Sequence, residues 1–463
     1  MNTTIANKIY INEPTEELKA WAKEHLCFPN PEFEKKQRMG LWTGRTPREL
    51  RMYEWNGNTL VLPFGVCREI MPLLRGGTLY TDFRQNTVIS YGSKEMGLYD
   101  YQRDACVAMI GATYGILKSK PGSGKTQMGI ALIKAFRRRA LWLCHTADLL
   151  NQSRDRALRY MDESLIGTIT EGKVNVGVGV TFATVQTMAN LELTQYRDYW
   201  DVVIVDECHR VAASASTFTR YEKVLNHLSA RHKIGLTATP ERSDGLIQAT
   251  FALIGKIAYE VPDSAVADRT MKARIRPVDT GTPITEECLN DDGTINYVKM
   301  IGYLTEDHER NKLIARKIME EKGHSCLVLS ERLNQLEAIR SMLPYEMQEE
   351  SAFINGKMQS KTAKLARENS IEEMRTGKKK YLFASYSLAK EGLDVPRLDR
   401  LFLASPCKYS AIVTQAVGRV CRTAEGKEEP VVFDFVDRDI GFCQGAYKKR
   451  CTSYRKMGAV IEK

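Results

Sequence analysis

Apolar residues along this chain fall into short runs, each followed by a stretch with helical spacing, and the order repeats. "YGILKSK" (Tyr114 to Lys120) is one such run. "QMGIALIKAFRR" behind it sets its apolar side chains three and four positions apart, the spacing of a helix face. "ALWLCHT" precedes the helical pattern "ADLLNQSRDRALRY", and "DVVIVDE" is apolar at successive positions, as a strand buried on both faces is. The alternation stops in a polar, irregular stretch near 262–300 and then restarts. "SCLVLS" precedes a helix from Glu331 to about Met342, "KKYLFAS" precedes "LAKEGLD", and "RLFLAS" and "PVVFDFV" complete a second set. Strands alternating with helices predict parallel sheets with crossover helices. The reading is therefore α/β: two tandem parallel-sheet domains at 97–265 and 270–463, behind a smaller mixed α/β or β-rich domain at 1–95. In that front segment, "RMYEWNGNTLVLP" reads as two strands around Asn56-Gly57, a turn pair suited to positive φ.

A length of 463 residues agrees with two or three domains. No apolar run approaches the roughly 20 residues that span a bilayer, and the first residues lack a secretory pattern. The expectation is a protein without a membrane, in the cytoplasm; the resemblance described below implies that of a bacterial cell or a phage-infected host. Eleven cysteines without a CxxC pair predict reduced thiols rather than a disulfide framework or structural zinc. The net charge of +10 is compatible with a polyanion, and clustering sharpens that reading. Lys35, Lys36, Arg38, Arg45, Arg48 and Arg51 stand against the single acid Glu49. Further basic runs occur at Arg137 to Arg139, Lys378 to Lys380 and Lys448 to Arg450. Each run alone is an ordinary solvated face; four beside a nucleotide site favour nucleic acid.

That nucleotide site is "SKPGSGKT", Ser119 to Thr126, between a strand and a helix. Pro121, Gly122, Ser123 and Gly124 form a loop whose backbone N–H groups can turn towards phosphates. Lys125 would reach the β and γ phosphates of ATP, and the Thr126 hydroxyl would bind Mg²⁺. The full pattern has glycine where Ser119 stands. "VVIVDECH" puts Asp206 and Glu207 at the C-terminal end of an apolar strand, where ligands meet parallel sheets. Asp206 suits the Mg²⁺ shell and Glu207 suits removal of a proton from attacking water. "IGLTATPERSDG" brings Thr237 and Thr239 to another strand end, and "TQAVGRVCR" supplies Gln415, Gly418, Arg419 and Arg422. On a continuous helix Arg419 and Arg422 share one face, a guanidinium pair suited to transition-state charge.

Taken in order, "YQ" at Tyr101-Gln102, "SKPGSGKT", "HTADLLNQ", "TFATVQTM", "DECH", "LTATP", "LVLSERLNQLEAI", "SYSLAKEGLDVP" and "QAVGRVCR" resemble the motifs of the superfamily 2 helicases. The resemblance covers about residues 97–440, and "DECH" with the compact layout is more similar to the UvsW, XPB and restriction-translocase branch than to DEAD-box RNA helicases. It implies two RecA-like domains with ATP and Mg²⁺ in the cleft between them. It further implies that Gln102 reads adenine, that Gly392 and Asp394 face the nucleotide with Gln415, Arg419 and Arg422, and that Thr237 and Thr239 link nucleotide state to the DNA path. Thr184, Gln186 and Ser385 resemble positions that hold the backbone of one strand, which carries little sequence information. In the front domain Arg45, Arg48 and Arg51, interleaved with Trp42, Tyr53 and Trp55, would grip duplex phosphates and stack on bases at a junction; the alternative is that Trp42 and Trp55 are core.

The function implied is an ATP-dependent DNA helicase or translocase on forks and four-way junctions, largely sequence-independent, with three-prime to five-prime travel and roles in replication, recombination or repair. A monomeric motor is expected, with partners among replication or recombination proteins. Alternatives are a restriction-system motor subunit, an RNA helicase, and a nucleic-acid scaffold with a degenerate ATP site. "CLNDDGTIN", Cys288 to Asn296, reads as either a hairpin or an ordinary loop.

Overall fold

The computed structural model describes the chain except residues 45, 75–77, 85–86, 212–214, 239–246, 267–270, 355–360, 387–392, 394, 408–409 and 463; side chains at 31, 35, 215–217, 361–364 and 410–411 are likewise outside the description. The chain folds as two compact units, Met1–Lys120 with Gly124–Val266, and Pro121–Ser123 with Ala267–Lys463.

The front of the first unit carries its own sheet. Its strands are β1 (Asn2–Ile5), β2 (Lys8–Asn12), β5 (Glu54–Asn56), β6 (Thr59–Pro63) and β7 (Leu79–Asp82), in the order β5-β6-β2-β1-β7. The expected hairpin around Asn56-Gly57 is β5 paired antiparallel with β6. A separate ribbon pairs β3 (Cys27–Pro29) with β4 (Glu49–Arg51). Although this region has its own strands, it belongs to the same compact unit as the parallel sheet behind it.

That second sheet consists, among the described residues, of β8 (Gly115–Lys118), β9 (Ala140–Cys144), β10 (Ile166–Thr170), β11 (Lys173–Asn175), β12 (Val180–Thr184), β13 (Val202–Asp206), β14 (His232–Thr237) and β15 (Ile257–Glu260). The order is β11-β10-β12-β9-β13-β14-β8-β15, parallel throughout except for β11 at one edge. Every residue of β9, β12, β13 and β14 is buried, which is why their sequences are apolar at successive positions. Register aligns the strand ends: Asp206 pairs with Leu236, Thr237 with Lys118, and Thr184 with Cys144. One edge of this sheet therefore collects the loops after β8, β9, β12, β13 and β14.

The opposite edge receives the front region. The Asn7 side chain donates to the Asn226 carbonyl at 2.6 Å, and Arg68 N donates to the Tyr114 hydroxyl at 2.8 Å. Lys256 pairs with Glu69 at 2.7 Å and Arg231 with Asp82 at 3.3 Å. Lys233, 1% exposed, donates to the Leu225 carbonyl at 2.6 Å and lies 5.2 Å from the Phe64 ring.

The second unit holds a parallel sheet of β16 (Arg274–Asp279), β17 (Cys326–Ser330), β18 (Ser351–Ile354), β19 (Tyr381–Ser385), β20 (Arg400–Leu403), β21 (Val431–Val436) and β22 (Val460–Ile461), in the order β18-β19-β17-β20-β21-β16-β22. The two parallel sheets match the α/β expectation. The stretch 262–300 is less irregular than its sequence suggests, because it contains β16 and the helix Tyr297–Glu306. In β16 only Ile275 is buried among Arg274, Arg276 and Pro277, so the strand lacks the apolar run that marks its neighbours. "CLNDDGTIN" closes as a small hairpin, with Leu289 bridged to Ile295.

Two basic runs serve the fold. Lys378 and Lys380 pair with Glu373 and Glu350, and Lys379 donates to the Glu349 carbonyl. Arg450 is 3% exposed and grips Asp434 through Nη2 at 2.7 Å and Nε at 2.9 Å. Arg450 is therefore an internal partner, whereas Lys378, with its side chain 70% exposed, remains on the surface. The described residues include no helix long and apolar enough to cross a membrane.

Candidate active site

Left-handed backbone builds the loop after β8. Gly122 has φ 83° and Gly124 has φ 82°, a region that side chains with a Cβ adopt at a cost. Gly124 has a second reason to lack a side chain: a Cβ there would lie 2.4 Å from the Gln102 amide nitrogen. The helix Lys125–Phe136 begins at once, so Lys125 and Thr126 sit in its first turn, where N–H groups are unpaired and the dipole is positive. Ser119, where the motif has glycine, ends the strand with its N–H donating to the Thr237 carbonyl at 3.0 Å. It is 2% exposed and has no positive φ, so the departure costs the loop nothing.

Asp206 closes β13 at 6% exposure. Its Oδ1 accepts the Glu207 N–H at 3.0 Å and its Oδ2 accepts the Ser153 hydroxyl at 3.4 Å. Glu207 follows with φ 48°, an uncommon conformation for a residue with a long side chain. Its Oε2 is buried without a hydrogen bond and lies 3.3 Å from His209 Nδ1. That nitrogen is in turn 3.1 Å from the Thr237 hydroxyl on β14. Glu207, His209 and Thr237 thus form a chain across two neighbouring strand ends.

The two acids are driven apart electrostatically. Burial and then the Glu207 charge hold the Asp206 carboxyl well above the usual carboxylate range. Burial also opposes ionisation of Glu207, but the Lys125 ammonium and the His209 contact outweigh it and keep Glu207 well below that range. Glu207 is consequently the ionised member, able to accept a proton. Asp206 is the member whose charge lacks compensation, and an added cation would supply it.

The residues present fit a triphosphate with a divalent cation. The loop and the helix start offer backbone N–H groups beside an ammonium, Thr126 and Asp206 offer hard oxygen donors, and Glu207 Oε2 is buried without a hydrogen bond. Among the described residues no group of three or more His, Cys, Asp and Glu could hold a metal alone. That agrees with Mg²⁺ chemistry, where phosphate and water complete the shell.

Other expected residues are placed as follows. Gln102 is 4% exposed; its Oε1 accepts the Tyr99 N–H at 3.1 Å, capping the helix Asp100–Ala112, and its Nε2 is 3.4 Å from the Tyr101 hydroxyl. Thr184 is 5% exposed and donates to the Thr187 hydroxyl at 2.9 Å. Gln186 donates to the His145 carbonyl at 2.7 Å. Ser385 ends β19 in the second unit. There the helix Ser410–Val420 carries Gln415, Gly418 and Arg419. Gln415 Oε1 is buried without a hydrogen bond, and Arg419 donates to the Leu393 carbonyl. Arg422 lies beyond the helix, which corrects the expectation that it shares a helix face with Arg419. Instead its carbonyl accepts Lys427 Nζ at 2.6 Å, and Lys427 also reaches the Pro396 carbonyl at 2.8 Å. Thr239, Gly392, Asp394 and Arg45 lie outside the described residues.

Sequence reasoning assigned no role to His209, Ser153, His145 or Lys427. His209 stands within the quoted "DECH", yet its two contacts need the strand register to become visible. His145 is pushed down to about 4 by burial, with the Arg210 and Arg220 charges adding to it, and so stays neutral at this edge.

Two conserved regions match the chain: residues 95–242 match the type III restriction enzyme res subunit, and residues 309–424 match the helicase conserved C-terminal domain. An Acanthamoeba polyphaga mimivirus protein named for ATP-dependent RNA helicase activity is 27% identical over 75% of this chain and 65% of its own. The chain thus spans just under two thirds of that relative. A DNA three-prime to five-prime translocase of Sulfurisphaera tokodaii is 24% identical over 74% of this chain and 82% of its own. Among solved structures, the ATP-dependent type ISP restriction-modification enzyme LlaBIII bound to DNA shares the fold, with a TM-score of 0.58 and 16% identity over 87% of this chain and 33% of its own. With both helicase halves matched in order on one chain, the protein belongs to the superfamily 2 helicases, a group of ATP-dependent enzymes.

Proposed function

We propose that this chain is an ATP-driven DNA helicase or translocase that acts on branched DNA, at forks and four-way junctions. The observation that carries the catalytic part is the gathering of Lys125, Thr126, Asp206, Glu207, His209 and Thr237 at loops along one sheet edge. In this reading Pro121 to Gly124 and Lys125 bind the phosphates, and Thr126 and Asp206 hold Mg²⁺. When bound, the cation neutralises charge that develops on the phosphate oxygens. Glu207 accepts the proton of the attacking water, and His209 orients Glu207 while tying it to β14. Arg419, Arg422 and Gln415 are assigned transition-state charge and Gln102 the adenine, on the sequence resemblance. Thr184, Gln186, Thr237, Thr239 and Ser385 are assigned the phosphodiester backbone on the same ground.

Support for DNA comes from the named activity of the Sulfurisphaera tokodaii relative and from the front region, where Arg48, Arg51 and Trp55 are exposed. Branched DNA is the substrate that a single-strand motor joined to such a region would fit. An RNA substrate is the second reading, favoured by the name of the mimivirus relative. ATP turnover and unwinding on matched DNA and RNA (single strand, duplex, fork and four-way junction) decide between them. Stimulation chiefly by plain RNA overturns the DNA assignment. Glu207→Gln is expected to abolish turnover while nucleotide binding persists; equal turnover in the two proteins removes Glu207 from catalysis.

A further inference from the structure

A loop in the front region projects three apolar side chains into solvent. Met39 is 60% exposed, Leu41 52% and Trp42 79%. Hydrogen bonds hold the described residues on both sides of the loop. The helix Pro31–Arg38 ends with Gly40 at φ 63°, the Gly40 N–H bonding to the Gln37 carbonyl at 3.1 Å and the Leu41 N–H to the Lys36 carbonyl at 2.9 Å. This is a Schellman ending, which fixes the direction in which the chain leaves the helix. On the far side the Thr46 N–H returns to the Thr43 carbonyl at 2.7 Å, and Lys36 Nζ reaches the Thr46 hydroxyl at 2.7 Å. Below, Asn30, 3% exposed, donates to the Pro47 carbonyl at 2.8 Å, and the β3–β4 ribbon joins the two limbs. The Trp42 ring is held as well. A Cβ on Gly44 would lie 1.9–2.3 Å from three of its atoms, so the indole rests against the Gly44 backbone. Arg38 on the helix before the loop and Arg48 on the returning limb are exposed, with the acids Glu34 and Glu49 exposed beside them.

An apolar tip that stays in water between two limbs carrying exposed Arg38 and Arg48 fits a partner with flat apolar faces and a polyanionic backbone. Unpaired nucleobases in a DNA strand have both. The hairpin tip of the second unit is a poor alternative. The hairpin between Leu289 and Ile295 carries Asp291, Asp292 and Thr294 at an exposed tip, and Asp292 caps Thr294 at 2.9 Å. Acids there repel phosphates and leave nothing flat to stack on.

We propose that Trp42, backed by Gly44 and flanked by Met39 and Leu41, is the element that stacks on the first unpaired base where the strands of a branched duplex separate. The proposal rests on the reading of this chain as a motor for branched DNA, and it assigns the strand-separating role to the front region rather than to either parallel sheet.

The test uses the full chain and a forked DNA with 2-aminopurine at the first unpaired position, without ATP, beside a blunt duplex of equal length. Wild type quenches the 2-aminopurine signal. Trp42→Ala loses the quenching and binds the fork roughly five- to 150-fold more weakly, the range of one base stack, while blunt-duplex affinity changes less than twofold. Trp42→Phe and Trp42→Tyr retain most of both. Quenching unchanged in Trp42→Ala overturns the proposal, as does an equal loss on fork and blunt duplex, which would mark a general phosphate contact. A tip that serves a protein partner leaves every fork measurement of Trp42→Ala at the wild-type value, which also overturns it. Lys125→Ala separates this from the motor reading. It is expected to abolish unwinding and preserve quenching, so a wild type that quenches without unwinding refutes the motor and leaves the stack. Because Trp42 is exposed, a melting curve superimposed on wild type confirms that the variant is folded.

Discussion

Replacing Gly65 with alanine should strip the front region from the first parallel sheet. Gly65 lies in the tight turn Phe64–Val66 against the helix Ile247–Ile254. A Cβ there would lie 2.4 Å from the Phe251 carbonyl oxygen, 2.5 Å from the Ala252 carbonyl oxygen and 2.6 Å from the Gly255 nitrogen, where ordinary contact begins at 3.4 Å. All three are backbone atoms, so no rotamer change relieves the overlap and roughly 1 Å of backbone movement is required. Overpacking of this kind costs about 1–3 kcal/mol. The Phe251 oxygen also accepts the Gly255 N–H at 2.7 Å, and disturbing that bond adds about 1 kcal/mol. For a unit of this size each kcal/mol lowers Tm by roughly 2–4 °C, so a fall of about 4–16 °C is expected, with faster trypsin cleavage between residues 84 and 98. Gly111→Ala is the control, because a Cβ there meets nothing within 4 Å and alanine should stabilise the helix by up to about 1 kcal/mol. A Gly65→Ala protein that melts with wild type would show that the turn and the helix are not in contact in solution.

Two further outcomes test interactions away from the phosphate loop. Burial, then the Arg84 and Lys8 charges, push the Lys233 ammonium down to about 7 from a usual 10.5. Above pH 7 the unfolded chain therefore holds the proton that the folded chain has released, and stability rises with pH; from pH 7 to 9 the gain is about 2 kcal/mol. Urea midpoints at the two pH values should show that rise in wild type and its absence in Lys233→Met, and parallel behaviour of the two proteins would refute it. Lys427→Met removes two hydrogen bonds, to the Pro396 and Arg422 carbonyls, each worth about 1 kcal/mol. DNA-stimulated kcat should fall by roughly tenfold or more with KM for ATP within twofold, and Lys427→Arg should restore most of it; wild-type kcat in Lys427→Met would refute a positioning role.

The sequence carried the parallel-sheet architecture because β9, β12, β13 and β14 are buried on both faces and cannot hide that in their composition. It carried the phosphate loop and the two acids because their chemistry dictates residue type at fixed spacing. It did not carry β16, a strand near the sheet edge whose arginines and proline break the pattern. Nor did it show that Arg450, at the end of one basic run, is internal, since charge in a sequence does not reveal whether a partner such as Asp434 waits in the core. Exposure of Trp42 and Trp55, 79% and 47%, was equally out of reach, because composition favours burial of tryptophan and only the fold shows which ones escape it. The break between Arg419 and Arg422 has the same origin: "TQAVGRVCR" has helical spacing throughout, and nothing local marks the end at Val420.

β14 explains why a front region docked on one edge of the first sheet matters to chemistry on the other. Lys233 near its start reaches the Asn7 carbonyl at 3.4 Å, and Thr237 at its end meets His209 beside Glu207. They stand four positions apart, about 13 Å of extended chain. Ile234 and Leu236 between them are fully buried. Gly235 has no side chain because a Cβ there would lie 2.7 Å from Cys208 Sγ, which seats the strand directly against the turn that follows Glu207. A strand held in this way has no second arrangement within the packing seen, and so it is poorly suited to act as a switch. What it provides is a fixed frame. The front region is thereby held at a set distance from Asp206 and Glu207, as parts of one rigid frame within this unit.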